Sequence, residues 1–317
     1  MTRELIVVAL GGNAIKQPDE KGTTEEQLRN VDATASELVK LIKMGYDLVV
    51  THGNGPQVGD LLIQQEEAQE YVPPKTLYLC GAMTQGQIGW MIQNRLQHHL
   101  ALQGIDKPVC TVVTQVVVDD QDPDFQDPSK PVGPFYTKEE AMDLVREWGY
   151  IVKEVRPGKQ KGWRRVVPSP EPIDIVEKEA ISRLVRQGVI VIASGGGGIP
   201  VKHNEDGSYS GVDAVIDKDL AGFRLAQVVQ ADKFIVLTDV EKAYLNYGKP
   251  EQKPLDIASA DEAEMYLNEG HFLMGSMGPK VKACIRFVRW SKKEAIITSL
   301  HRAIDALEGR TGTRIVP

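Results

Sequence analysis

Four glycine-rich turns carry the residue types from which an anion site is most readily built. They are Gly11-Gly12-Asn13, Gly53-Asn54-Gly55-Pro56-Gln57, Gly195-Gly196-Gly197-Gly198 and Gly275-Ser276-Met277-Gly278-Pro279-Lys280. The first three directly follow apolar runs that read as strands. Glycines at such places let backbone N–H groups approach an anion closely, and a following helix start adds roughly half a positive charge. One such pair after a strand serves equally well as a tight turn. Three at strand ends in one chain point to a phosphate-rich ligand.

Three lysines stand in stiff loop contexts where simple solvation is the less convincing reading. Lys130 is flanked by proline in Pro128-Ser129-Lys130-Pro131, Lys218 lies between Asp217 and Asp219 at a helix start, and Lys280 follows Gly278-Pro279. Phosphoryl transfer needs positive charge around the moving group and little covalent help from protein. Spacing alone leaves open whether these lysines serve it or are solvated charges.

Other chemistries find no support. The G-x-G-x-x-G dinucleotide fingerprint does not fit Gly11-Gly12-Asn13-Ala14-Ile15, and no G-x-x-x-x-G-K-[ST] occurs, since Gly158-Lys159 is followed by Gln160 and Gly248-Lys249 by Pro250. Protein-kinase landmarks, H-E-x-x-H, a Cys/His cluster and G-x-S-x-G are missing as well. No dedicated metal ligands are expected. His52 reads as a residue that shapes its loop and not as a base. The basic run Lys153, Arg156, Lys159, Lys161, Arg164, Arg165 reads as a solvated face, with attraction of anionic substrates as its functional alternative.

The elements that must position these residues alternate between short apolar strands and longer helical patterns, the mark of a mainly parallel sheet covered on both faces. Expected strands are Leu5–Leu10, Asp47–Thr51, Val109–Val118, Val189–Ala193, Phe234–Thr238 and Ala295–Thr298. Expected helices include Thr24–Met44, stopped by Gly45, then Pro56–Glu67 and Ala82–Leu102. Between 119 and 172 the chain turns polar and proline-rich, and it reads as a small projecting subdomain with one helix (Thr137–Trp148) and one strand (Tyr150–Val155). At 317 residues two lobes or one large α/β sheet are both permitted.

Hydrophobic residues make up 42% and charged residues 26%, so the chain should fold without a partner. A formal net charge of −7 argues against nucleic-acid binding or attraction to anionic membranes. No apolar run approaches the length of a membrane span, and three scattered cysteines (Cys80, Cys110, Cys284) fit a reducing compartment. A soluble cytoplasmic protein is expected.

Against this background the chain resembles the carbamate kinases of the amino-acid-kinase superfamily. The resemblance runs from Val7 to Thr298 through ALGGNA (9–14), HGNGPQVG (52–59), TQVVVD (114–119), KPVGPF (130–135), GWRRVVPSPEP (162–172), GGGGIPV (195–201), AVIDKDLA (214–221), NYGKP (246–250), GHF (270–272) and GSMGPK (275–280). KPVGPF and GWRRVVPSP belong to the insertion that sets this subfamily apart. The resemblance implies a three-layer αβα sandwich with an open, roughly eight-stranded sheet as one domain over 1–317, its nucleotide-binding half near 188–317, assembled as a homodimer. It implies the reaction ATP + carbamate ⇌ ADP + carbamoyl phosphate with Mg²⁺ held mainly by phosphate oxygens.

By motif, the resemblance makes Lys130, Lys218, Asp219 and Lys280 the catalytic residues. Gly11, Gly12, Asn13, Gly53, Asn54, Gly195, Gly196 and Gly197 would bind substrate and phosphate. Thr238, Asp239, Val240, Tyr244, Asn246, Tyr247, Met277 and Gly278 would bind the nucleotide. Relatives that phosphorylate carboxylates often carry a lysine just before the first glycine pair. Here Ala9-Leu10 stands there, and Lys130 is the implied replacement. A kinase of the acetylglutamate or glutamate type, and a nucleotide-binding regulator without turnover, are the competing readings.

Overall fold

Alternate residues of the strand Leu5–Leu10 serve opposite cores. Ile6, Val8 and Leu10 belong to one buried cluster, and Val7 and Ala9 to the other, as the period-two geometry of a strand requires. This strand lies inside an eight-stranded sheet of the computed structural model, which describes residues 3–273 and 275–317. The order across the sheet is Ile257–Ser259, Thr313–Val316, Ala295–Ser299, Lys233–Thr238, Leu5–Leu10, Asp47–His52, Ile190–Ile192, Val109–Thr111. Six neighbouring strands, from Ala295–Ser299 to Val109–Thr111, run parallel. Thr313–Val316 is antiparallel to Ala295–Ser299 and parallel to Ile257–Ser259, so two strands at one edge are reversed.

Helices cover both faces. Thr24–Lys43 and Leu77–Leu102 pack on the face of Ile6 and Val8, while Lys218–Val229 and Met277–Ser291 pack on the face of Val7. The first of these helices opens with a capping box, Thr23 with Glu26, and ends before Gly45, whose φ of 97° only glycine adopts without strain. The expected α/β sandwich is the observed one.

Several elements differ from the sequence reading. The long strand expected over Val109–Val118 is two strands in two sheets: Val109–Thr111 closes the main sheet, and Gln115–Val117 joins a four-stranded sheet with Tyr209–Gly211, Ile199–His203 and Asp174–Ile175. The chain changes sheets at Thr114. There the Gln85 carboxamide accepts from the Thr114 N–H at 2.8 Å and donates to its carbonyl at 3.1 Å, replacing a strand partner. The helix expected from Ala82 starts at Leu77, because burial of Leu77 and Cys80 against Val132 and Val167 outweighs the helix cost of Gly81. The edge strand Ile257–Ser259 and its neighbour Thr313–Val316, both short, were not anticipated.

Within 119–172 the chain forms its own three-stranded sheet, Lys130–Tyr136, Trp163–Val167 and Val152–Glu154, and the helix Lys138–Trp148. That helix is opened by a Thr137/Glu140 capping box and closed by Gly149 at φ 66°. The observed strand is shorter than the expected Tyr150–Val155. A last pair, Ala243–Leu245 with Lys253–Leu255, forms a hairpin.

The helix Leu77–Leu102 meets the sheet edge at Gly89, where an added Cβ would stand 2.3 Å from Thr111 Cγ2. Gly89→Ala is expected to destabilise the fold by about 1–3 kcal/mol. Combining it with Thr111→Ala should recover most of the loss, and urea unfolding of both single variants and the pair measures the coupling.

Candidate active site

The carboxyl ends of the parallel strands open into a cavity of about 730 Å³, the place where open α/β sheets bind ligands. Gly11-Gly12-Asn13 follows Leu10, Gly53-Asn54 follows His52, Asp239 follows Thr238, and Leu300 follows Ser299; all of them line it. The two glycine loops touch each other and a lysine. A Cβ on Gly53 would lie 3.3 Å from Lys218 Cδ and 3.4 Å from the Gly12 nitrogen. A Cβ on Gly11 would lie 3.0 Å from the Leu237 carbonyl oxygen, the group to which the Gly11 N–H donates at 2.8 Å.

Lys130, Lys218 and Lys280 come from separate stretches and line the same cavity. Lys218 opens the helix Lys218–Val229, and Lys280 lies in the first turn of Met277–Ser291. Both lysines reach the buried Asp219: Lys218 Nζ donates to Oδ1 at 2.5 Å and Lys280 Nζ to Oδ2 at 2.9 Å. Burial alone would push the Asp219 carboxyl up, but the two ammonium groups overcome it and hold the acid far below the usual carboxylate range. Burial draws Lys218 below the ordinary lysine value, with Lys280 adding to the effect against Asp219. For Lys280 burial acts in the same direction, yet the attraction of Asp219 outweighs it and the group is raised.

Lys130 is held from the other side. Its Nζ donates to Asp217 Oδ2 at 3.0 Å, while Asp217 Oδ1 accepts from the Asp219 N–H at 2.9 Å and caps the helix that Lys218 begins. Asp217 therefore joins the inserted sheet to the helix start. It was noticed in the sequence only as a flanking charge, although Asp before a helix is a readable cap.

Gly195, Gly196 and Gly197 do not line this cavity, which corrects their expected place beside the phosphate loops. They are buried behind the Gly53-Asn54 turn, where a Cβ would stand 2.3 Å from His52 Nε2, 2.1 Å from Asn54 Nδ2 and 2.4 Å from the Ile216 carbonyl oxygen, respectively. Gly196 and Gly197 also have φ of 66° and 98°. Their lack of side chains makes room for the residues that carry the turn. Ser194 before them sits at φ 53°, held by the Thr114 hydroxyl on its N–H at 2.9 Å and by Thr51, which donates to its carbonyl at 3.0 Å.

A second cavity of about 100 Å³ adjoins the first through Thr238, Asp239 and Ser276, which line both. Val240, Tyr244, Tyr247 and Met277 line it, with His271, Phe272 and Leu273 in addition. Asn246 and Gly278 do not. Asn246 accepts from His271 Nδ1 at 3.1 Å, and the Gly278 N–H donates to the Leu273 carbonyl at 2.9 Å, so both brace the wall from behind. The sequence reading missed Arg164, which lines the large cavity. On a strand, Arg164 and Arg165 face opposite ways, and the basic run is divided accordingly: Arg165 lies over the Tyr150 ring at 3.6 Å, and Lys153 and Lys161 pair with Asp127 and Glu140.

No group of three or more His, Cys, Asp or Glu among the described residues could hold a metal ion, and no helix among them is long and apolar enough to cross a membrane. Cys80 and Cys284 are buried and Cys110 is half-buried, all unpaired.

With this geometry in place, comparison with known proteins gives the lineage. The chain belongs to the amino acid kinase family, which it matches over residues 4–299. Within that family it belongs to the carbamate kinases. It is 54% identical to the carbamate kinase of Thermococcus kodakarensis over 98% of both chains, and 52% identical to that of Pyrococcus furiosus over 98% of this chain and 99% of the relative. The solved carbamate kinase from Giardia lamblia bound to AMP-PNP superposes with a TM-score of 0.92 at 46% identity, covering 100% of this chain and 99% of that one.

His52 is fully buried beneath the Gly53 turn, with its Nδ1–H donating to the Gly53 carbonyl at 2.9 Å. Burial lowers it from 6.5 to about 4, aided by the charge of Lys218, so it is neutral at pH 7. Because the unfolded chain binds this proton more readily, stability is complete above pH 6.5 and falls as pH drops toward 4. The full loss is (6.5 − 4) × about 1.36, or about 3 kcal/mol. The difference in urea stability between wild type and His52→Gln should shrink by that order from pH 7.5 to pH 4.

Proposed function

We propose that this enzyme transfers a phosphoryl group reversibly between ATP and carbamate, giving ADP and carbamoyl phosphate. The reading is carried by the meeting of Lys130, Lys218 and Lys280 above two glycine loops in one cavity. In the direction of ATP synthesis, a terminal oxygen of ADP forms the new bond to phosphorus. The bond from phosphorus to the carbamate oxygen breaks, and its electron pair leaves with carbamate. Both attacking groups, ADP and carbamate, are already anionic, so no general base is required.

Gly11, Gly12, Asn13, Gly53 and Asn54 would cradle the migrating group with backbone and amide donors. Lys218 and Lys280 would neutralise nucleotide phosphates, spaced by Asp219, and Lys130 would act on the transferred phosphoryl group. A unit charge about 4 Å away is worth on the order of 4 kcal/mol at an effective dielectric of 20, before desolvation. Several cations together thus offset the repulsion between two anionic substrates and favour the charge-rich transition state. The smaller cavity, with Tyr244, Tyr247 and Met277, would take the base and ribose, making 188–317 the nucleotide half and 119–172 the subdomain that brings Lys130. The described residues provide no dedicated metal cage; Mg²⁺ carried on the nucleotide's own oxygens would add charge neutralisation when bound.

A homodimer through the helix Leu77–Leu102 is supported by Leu79, Met83 and Trp90, which share one helix face and are exposed. A cytoplasmic location agrees with the unpaired cysteines.

The test is ATP formation from carbamoyl phosphate and MgADP, read by a coupled assay; no ATP at saturation would end the proposal. Lys130→Ala should lower kcat by about 100-fold or more and leave the ADP KM within a few-fold, whereas a change confined to the ADP KM would contradict its role. Asp219→Asn should retain the native circular dichroism spectrum yet reduce kcat/KM by about 100-fold, since both lysines lose their common anchor. An unaltered rate would refute that role.

A further inference from the structure

The three lysines and three aspartates (217, 219 and 239) that line the large cavity cancel in formal charge. Arg164 is a fourth cation on that lining, and no carboxylate among the described residues pairs with it. Its Nη2 donates to the Gly133 carbonyl at 2.5 Å, while its Nε is buried without any partner. The guanidinium is nonetheless fixed in place. Its Cζ lies 5.0 Å from the centre of the Phe135 ring, and Arg156 Cζ lies 3.9 Å from the same centre. Burial lowers Arg164 from its ordinary value, and the charge of Arg156 lowers it further. Two like charges on one ring, with no carboxylate to balance the one that lines the cavity, form an arrangement that an incoming anion relieves.

We infer that Arg164 is a binding residue for the anionic non-nucleotide substrate, with Phe135 and Arg156 positioning its fork. This rests on the phosphotransfer reading above and extends it to a residue beyond the lysine set. Two observations favour the small substrate over the nucleotide. Arg164 lies on the same three-stranded sheet as Lys130, and it is absent from the lining of the smaller cavity that takes Tyr244 and Met277. A guanidinium matches a planar carboxylate or a phosphate through two parallel N–H donors, which a lysine cannot reproduce.

The experiment compares wild type, Arg164→Lys and Arg164→Met, varying carbamoyl phosphate at saturating MgADP and then MgADP at saturating carbamoyl phosphate. The expected result is a rise in the carbamoyl phosphate KM of about 10-fold for Lys and about 100-fold for Met, with the MgADP KM within twofold. Partial rescue of Arg164→Met by free guanidinium at non-denaturing concentration would support the same contact. An unchanged carbamoyl phosphate KM overturns the inference. So does an equal rise in both KM values with a lowered melting temperature, since that marks a residue needed only for the fold. Calorimetric titration of each variant with inorganic phosphate separates this from the parent reading. If wild type makes no ATP while Arg164→Met still binds phosphate at least tenfold more weakly, the reaction assignment fails and the anion site stands; if phosphate binding is equal, the site fails too.

Discussion

The site depends on one buried carboxylate holding two ammonium groups that repel each other. Asp219 is 2% exposed, and its two oxygens are divided between Lys218 and Lys280. A buried ion of this kind is costly to remove from water, and its mutual attraction with its partners must offset that cost. Two cations on one carboxylate leave the trio with a net positive charge facing the cavity. The same contact fixes the distance between the starts of two helices that pack side by side on one face of the sheet. Charge and scaffold are thus set together: the helices cannot drift apart without separating the charges, and the charges cannot relax without moving the helices.

Around this anchor the loops are placed by what they lack. Successive glycines at 195–197 remove the atoms that would collide with His52, Asn54 and the Ile216 carbonyl. The strand-end turn carrying Gly53 and Asn54 can then descend to the level of Gly12 and of the Lys218 stem. His52 contributes its shape and one N–H to the Gly53 carbonyl, and its burial keeps it uncharged beside Lys218.

Much of the fold was legible because the central strands are apolar on both faces and bounded by glycine. Leu5–Leu10 was placed to the residue, and the helix after it to within one residue, from three- and four-residue spacing and the glycine stop. The same logic failed at Val109–Val118, where a stretch rich in β-branched residues hid a change of sheet braced by the Gln85 side chain, distant in sequence. Thr313–Val316 spans only four residues, too few for its alternation of buried Thr313 and Ile315 with Arg314 and Val316 to stand out. In the site, residues carried by motif and stiff local geometry were gathered in one place. The Gly195–Gly197 run was misplaced because a glycine needed for close packing and a glycine needed for ligand approach look identical in sequence. Arg164 was hidden inside a basic run that the strand's alternation divides between two faces.

The double engagement of Asp217 has an architectural corollary. One of its oxygens belongs to the helix that Lys218 begins, and the other to Lys130 at the edge of the inserted sheet. The Lys130 ammonium is accordingly tied to the start of that helix through a single carboxylate and not only through the stiffness of the excursion that delivers it. Distal turns of that excursion, such as the one around Gly158, lie outside this linkage, so a change in their length would leave the tether of Lys130 intact.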